Sequence, residues 1–209
     1  MADETDILTL GEARTAINMP AVDHDVELEV FVTGISHRID DLCGPVVVRT
    51  VTDEVHDGGK SRVWLRETPV DSVTTVVEWV HTTSNSLTAE SNTSKPASSF
   101  LLDSTGPYSY LWRRSGGADS NFSSGRRNVV ITYEAGRYAS TATVDAKFKL
   151  AAQSILRRTW KREQSSWAQS AGAISEFDNL EVGSLRFFKA VDPMIREFLT
   201  DDLLPPVGI

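Results

Sequence analysis

Four histidines, His24, His37, His56 and His81, are the first candidates for acid–base or metal chemistry in this chain. Metal-binding histidines recur at short fixed spacings because two imidazoles must reach one ion. These four stand in four separate contexts, and no two share such a spacing. Asp23-His24-Asp25 has the composition of a metal corner, but three successive side chains at a helix start diverge. Helix capping and solvent exposure are the expected roles. His56-Asp57-Gly58-Gly59 reads as a hairpin turn. Cys43 is the one cysteine, so it has no intrachain disulfide partner, and this fits a reducing compartment. Among apolar neighbours at an expected helix end, it reads as a small core filler. The chain has no Walker-type phosphate loop, no G-x-G-x-x-G and no G-x-S-x-G elbow. Neither a catalytic site nor a metal or cofactor is expected.

Charge narrows the partners. The 209 residues carry 21 basic and 29 acidic side chains, a formal net charge of −8. A tight sequence-specific DNA binder draws most of its affinity from a basic patch. The nearest approach here is the run Arg157-Arg158-Thr159-Trp160-Lys161-Arg162, which reads as a solvated or intersubunit helix face. An acidic surface suits DNA that must pass without sticking. No stretch reaches the roughly 18 apolar residues of a membrane span. The acidic start, Met1 to Asp6, lacks the features of a signal peptide, so the protein is expected to stay where it is made.

The elements that must position these residues follow from period and caps. Thr9-Leu10-Gly11-Glu12 matches a capping box, predicting a short helix to Asn18 that buries Ala13, Ala16 and Ile17 and is stopped by Pro20. Asp23 is the expected cap of a second helix, with Asp25 in its first turn. Its apolar stripe is Leu28, Phe31, Val32, Ile35, Ile39 and Leu42, and Gly44-Pro45 ends it. The period then changes to two. Val46 to Val51 predicts a strand, the Asp57-Gly58-Gly59 turn returns it through Arg62 to Leu65, and Val73, Thr75, Val77 and Trp79 share one face of the next strand. Ten of the eighteen residues from Thr82 to Ser99 are Ser or Thr, which predicts a mobile loop. Tyr108, Tyr110 and Trp112 alternate along another strand, a stripe that reads as core. A Gly/Ser-rich loop spans Ser115 to Gly125, and Asn128 to Tyr133 is the last strand. Thr143 is the expected cap of the longest helix, which runs to about Ala171 and buries Phe148, Ala151, Ala152, Ile155 and Thr159.

The expected fold class is α+β: a helical bundle with an antiparallel β insertion between the second and the long C-terminal helix. The parts are N-terminal helices over 1–45, the β-rich insertion over 46–142, the long helix over 143–172 and a C-terminal docking segment over 173–209. That segment is unusually apolar. Phe187, Phe188, Ile195, Phe198, Leu199, Leu203, Leu204, Pro205 and Pro206 are the candidate assembly residues, set to dock on a partner or fold back on their own core.

Several stretches, in this order, resemble the head-to-tail connector (adaptor) family of long-tailed bacteriophages. They are Ile7-Leu8-Thr9-Leu10-Gly11-Glu12-Ala13 with Asp23 and the helix ending at Cys43-Gly44-Pro45; Glu67-Thr68-Pro69-Val70-Asp71-Ser72-Val73; Asn128 to Tyr133 followed by Glu134-Ala135-Gly136-Arg137-Tyr138-Ala139; and Asp145 to Ala152 through Trp160. Together they span roughly residues 7 to 165. Arg137 between Gly136 and Tyr138, and the lack of a proline around Ala142 to Val144, depart from the family pattern. The resemblance implies a non-enzymatic structural subunit of the virion neck, assembled in the host bacterial cytoplasm. It implies a ring, commonly of twelve copies, that binds the portal protein and the next neck component, of head-closure or tail-terminator type. Genomic DNA passes non-specifically through its lumen. The alternatives are another neck or tail-completion protein, or a carbohydrate-binding β module using an exposed Tyr108, Tyr110 and Trp112.

Overall fold

The fold is that of a computed structural model, which describes residues 4–19, 21–170 and 191–205. The chain is mixed α and β and divides into two compact units. One holds residues Met1–Val47 and Tyr138–Ile209, the other Val48–Arg137.

In the first unit, α1 (Leu10–Ile17) starts in the expected capping box: the Thr9 hydroxyl accepts the Glu12 amide, and Glu12 accepts the Thr9 amide at 2.9 Å. It stops three residues before Pro20. Asn18 turns left-handed (φ 57°) and the Met19 amide reaches back to the Arg14 carbonyl. Helix α2 (Asp25–Cys43) has His24, not Asp23, at its cap position, and no side chain caps it. The Asp25 carboxylate instead takes a two-pronged pair from Arg14, both bonds 2.7 Å. The long helix α3 (Ala146–Ser170) is capped by Asp145, whose carboxylate accepts the Lys147 amide. Thr143, the expected cap, closes a preceding 3-10 turn with Ser140. A fourth helix, α4, covers 191–198.

These helices share one core. Leu28, Val32, Ile35 and Ile39 of α2 meet Phe148, Ala151, Ala152, Ile155 and Leu156 of α3 and Val191, Ile195 and Leu199 of the tail. Val46 and Val47 are buried here too, before strand β1 begins. Two charged pairs fasten this core from its edge. Arg38 grips Asp192 through two 2.6 Å bonds, and Lys147 meets Asp202 at 2.8 Å. That second contact offsets the placement of an acid, Asp202, just beyond the C-terminal end of α4, where the helix dipole disfavours it.

The second unit packs two sheets on one apolar core. The first sheet has the order β1 (Arg49–His56), β9 (Val129–Ala135), β3 (Val70–Val80), β4 (Thr83–Ser86). The second has β2 (Arg62–Trp64), β7 (Tyr110–Ser115), β6 (Ser99–Asp103) and β5 (Thr88–Ala89), with β8 (Ala118–Asp119) beside β7. Pairing is antiparallel except between β5 and β6.

Four expectations fail here. Asp57-Gly58-Gly59 does not close a hairpin, because β1 pairs with β9 and β2 with β7, so the turn carries the chain from one sheet to the other. Within Thr82 to Ser99, residues 83–86 and 88–89 form β4 and β5 and Ser99 opens β6, while 90–98 run between strands. In β3, register shifts between Val70 and Ser72 and between Val73 and Thr75 exchange the faces. Val76 and Glu78 therefore point inward, while Trp79 stays outside at 42% exposure. Finally, Leu111 and Arg113 are the buried side of β7, so Tyr108, Tyr110 and Trp112 lie on its outer side and are only half-buried.

Asn128 ties the loops of this unit together. Its side chain accepts the Gly58 amide at 2.8 Å and donates to the Ser123 and Trp79 carbonyls. A Cβ at Gly58 would fall 2.0 Å from the Ser123 carbonyl oxygen. Gly58→Ala should therefore destabilise the protein by about 1 kcal/mol or more. Gly106→Ala, whose Cβ would meet only the Tyr108 carbonyl at an ordinary 3.8 Å, should stay within about 0.5 kcal/mol of wild type. Urea unfolding of the two variants checks both.

Candidate functional site

The histidines do not converge. His24 sits at the start of α2, its ring edge-on to Trp160 with centroids 6.1 Å apart, and its Nδ1 lies 3.5 Å from Glu27. His37 is exposed on α2, and His81 occupies a left-handed turn (φ 56°) between β3 and β4. Cys43 is fully buried. Among the described residues no group of three or more His, Cys, Asp or Glu side chains is placed to hold a metal ion.

The densest polar cluster is in the second unit, around His56. Glu54 accepts the Tyr133 hydroxyl at 2.6 Å and the Arg66 amide at 3.2 Å, and lies 2.6 Å from His56 Nε2. Burial alone would raise the Glu54 carboxyl, but the bonds from His56, Tyr133 and Arg66 outweigh it and hold it below the usual range. Burial and the same carboxylate push the Tyr133 phenol up. A Glu that accepts two hydrogen bonds with His56 close beside it is held in place rather than free to move a proton. The cluster braces the irregular stretch of β1, where Asp53 is left-handed (φ 52°) and pairing shifts between Val51 and Glu54. It borders a shallow polar depression lined by Asp53, Arg66, Glu67 and Arg127. A second buried pair, Glu78 with Arg113 at 3.5 Å, lies in the same sandwich. Both read as structural polar networks.

Surface features carry more information. The candidate assembly residues of the tail fall into three groups. Phe187, Phe188 and Pro206 lie outside the described residues. Ile195 and Leu199 are buried in the core of their own protomer. Phe198 is 37% exposed with the Arg158 guanidinium over its ring, Leu203 and Leu204 are half-buried, and Pro205 is exposed. The Leu204 amide donates to the Leu42 carbonyl, so the tail is seated against the end of α2. In the basic run of α3, Trp160 is buried against Phe31, Arg157 donates to the Ala16 carbonyl in the last turn of α1, and Lys161 and Arg162 are exposed.

The outer face of the second sheet holds an aromatic row. Trp64 meets Tyr108 edge-on at 5.5 Å, and the Arg62 guanidinium lies over both Tyr110 (4.9 Å) and Trp112 (5.3 Å). Arg62 thus covers ring faces against which a sugar would stack. Sequence reasoning missed a different surface altogether: Val22, Val26 and Val30 are each more than 60% exposed, and Leu150 on α3 is 57% exposed. The signal was present, since Val26 and Val30 are one turn apart and off the buried stripe.

No protein-family model matches the chain, and no curated protein matches it. A solved structure does: a chain in the neck of an empty gene transfer agent particle, computed with C6 symmetry. The match has a TM-score of 0.54 at 14% identity and covers 95% of this chain and 94% of that one. The two chains share a fold over nearly their whole lengths.

One consequence of the Arg38–Asp192 pair can be measured. The guanidinium bonds hold the Asp192 carboxyl below its usual value. A carboxyl with a lowered folded pKa contributes stability at neutral pH and loses it as pH falls. Protection of amides 194–199 from hydrogen exchange should therefore weaken below about pH 4, the ordinary Asp range. In Arg38→Gln that protection should be weaker at pH 7, with little of the acid dependence left.

Proposed function

We propose that this chain is a structural, non-enzymatic subunit of the neck of a phage-like particle. It forms an adaptor ring under the portal that joins head to tail and lets DNA pass. The likeness to a chain of a gene transfer agent neck, spanning almost all of both chains, carries this reading. The ordered resemblances between residues 7 and 165 support it independently of shape. On this reading the first unit is a helical bundle and the second a β insertion between α2 and α3, with residues from 173 onward serving as a docking segment.

Charge and symmetry fit as well. Twelve copies, the number common in the adaptor family, would carry −96 formal charges (12 × −8), so a lumen lined partly by acid repels phosphate and limits sticking. The C6 symmetry applied to the gene transfer agent neck divides twelve evenly. The ring binds the portal on one side and a head-closure or tail-terminator type component on the other. Within the docking segment, Phe198, Leu203, Leu204 and Pro205 offer the described surface, and Phe187, Phe188 and Pro206 extend the apolar stretch in sequence.

Native mass measurement with and without the portal tests the reading. A complete ring would weigh 276 kDa (12 × 23.0 kDa) and should co-migrate with portal. A chain lacking Asp201–Ile209 should keep its helical circular dichroism yet fail to join the portal. A protein that stays at one subunit's mass in both mixtures refutes the ring, and undiminished portal binding by the truncated chain refutes the docking role of the tail.

A further inference from the structure

The first unit carries two outward ridges of opposite charge. On α2, Val26 and Val30 stand one turn apart at 80% and 69% exposure, with Val22 just before the helix. They lie on the side away from the buried Leu28, Val32, Ile35 and Ile39. Valine is a poorer helix former than Ala, Glu or Lys, so helix propensity gives no reason for it at these water-facing positions. Around them, residues 22–31 include Asp23, Asp25, Glu27 and Glu29 and no Lys or Arg; Asp25 is matched by Arg14, so Asp23, Glu27 and Glu29 carry the acidic character.

Helix α3 shows the reverse. Residues 146–162 include six Lys and Arg and no acid; Lys147 and Lys149 are matched within the protomer by Asp202 and Glu12, so the outward basic character rests on Arg157, Arg158 and Lys161. Leu150 is exposed in this face, and Arg157 and Lys161 follow it seven and eleven positions on, along the same side of the helix. Both helices bury their inner stripes in one core, so the two ridges face outward in different directions.

Two faces of one unit that match in apolar character and oppose in charge suit a head-to-tail contact between copies. A two-fold contact centred on either ridge would set acid against acid or base against base. A polyanion fits the α3 face less well, because it would leave Leu150 uncovered. We propose that the Val22–Val26–Val30 ridge of α2 docks on the Leu150–Arg157–Lys161 face of α3 in a second copy of this chain. The proposal rests on the ring reading above and specifies the contact that repeats around it.

Cysteine cross-linking tests it on the full chain, since native Cys43 is buried. Val30→Cys and Leu150→Cys proteins are mixed under mild oxidation, with sedimentation of the same samples, alone and with portal present. The expected result is a 30–150 disulfide forming about tenfold or more faster than either homodimer or a Thr74→Cys control, because contact raises the local concentration. Lys161→Glu in the Leu150→Cys partner should slow it, and Glu27→Lys in the Val30→Cys partner should restore it. Circular dichroism confirms that each variant is folded. Homodimers that outpace the mixed pair overturn the head-to-tail geometry. Background cross-linking in samples that nonetheless sediment as oligomers overturns this contact and leaves the ring standing. Background cross-linking in samples that remain monomeric with portal overturns both. DNA retention that Lys161→Glu abolishes, without the cross-link, assigns the α3 face to a polyanion and overturns the proposal.

Discussion

The helical core is closed by a clasp where the chain departs at Val46–Val47 and returns at Tyr138. The Val46 amide is held by the Asp40 carboxylate at 2.9 Å, and its carbonyl accepts the Tyr138 amide at 3.0 Å. Val47 and Tyr138 form a short parallel bridge, and the Tyr138 ring meets Phe148 edge-on. With this clasp closed, α1 and α2 share one apolar interior with α3, although the whole of Val48–Arg137 lies between them in sequence. Closing so long an excursion costs little more than closing a short one, because loop entropy grows only logarithmically with length. Arg38 and Asp192, 154 positions apart, repeat the device for the tail.

How much of this was legible in the sequence depended on how local the cause was. The capping box at Thr9, the stripe from Leu28 to Leu42, the Gly44 stop and the buried face of α3 are all set by residues within a few turns of one another. Each stands close to where period and caps placed it. Strand partners are set at a distance, and there the reading failed. Nothing in Asp57-Gly58-Gly59 reveals that its flanking strands belong to different sheets. The shifts in β3 turned Val77 and Trp79 outward although the alternation was correct locally. Ser and Thr runs suggest a loop, but backbone bonds to β3 and β6 draw 83–86 and 88–89 of that run into strands.

The candidate surfaces show the same division. A sequence scan weighs apolar residues by abundance, so the tail dominated it. Yet Ile195 and Leu199 complete the core, and less conspicuous valines on α2 are the ones left in water. Only burial separates the two groups. The polar clusters of the second unit, Glu54 with His56 and Tyr133 and Glu78 with Arg113, likewise depend on residues brought together by sheet packing. They brace irregular strands. On the reading proposed, the chemistry of this protein lies in what its outer faces meet.

Membership of a ring around the DNA path is the central claim, and a cryo-electron microscopy reconstruction of the neck of particles carrying this protein tests it most directly. The account predicts that the protomer fits density repeated around the axis between portal and tail, each copy touching two neighbours through different faces. Density for this fold elsewhere in the particle, or a neck map fully explained by other chains, would contradict it.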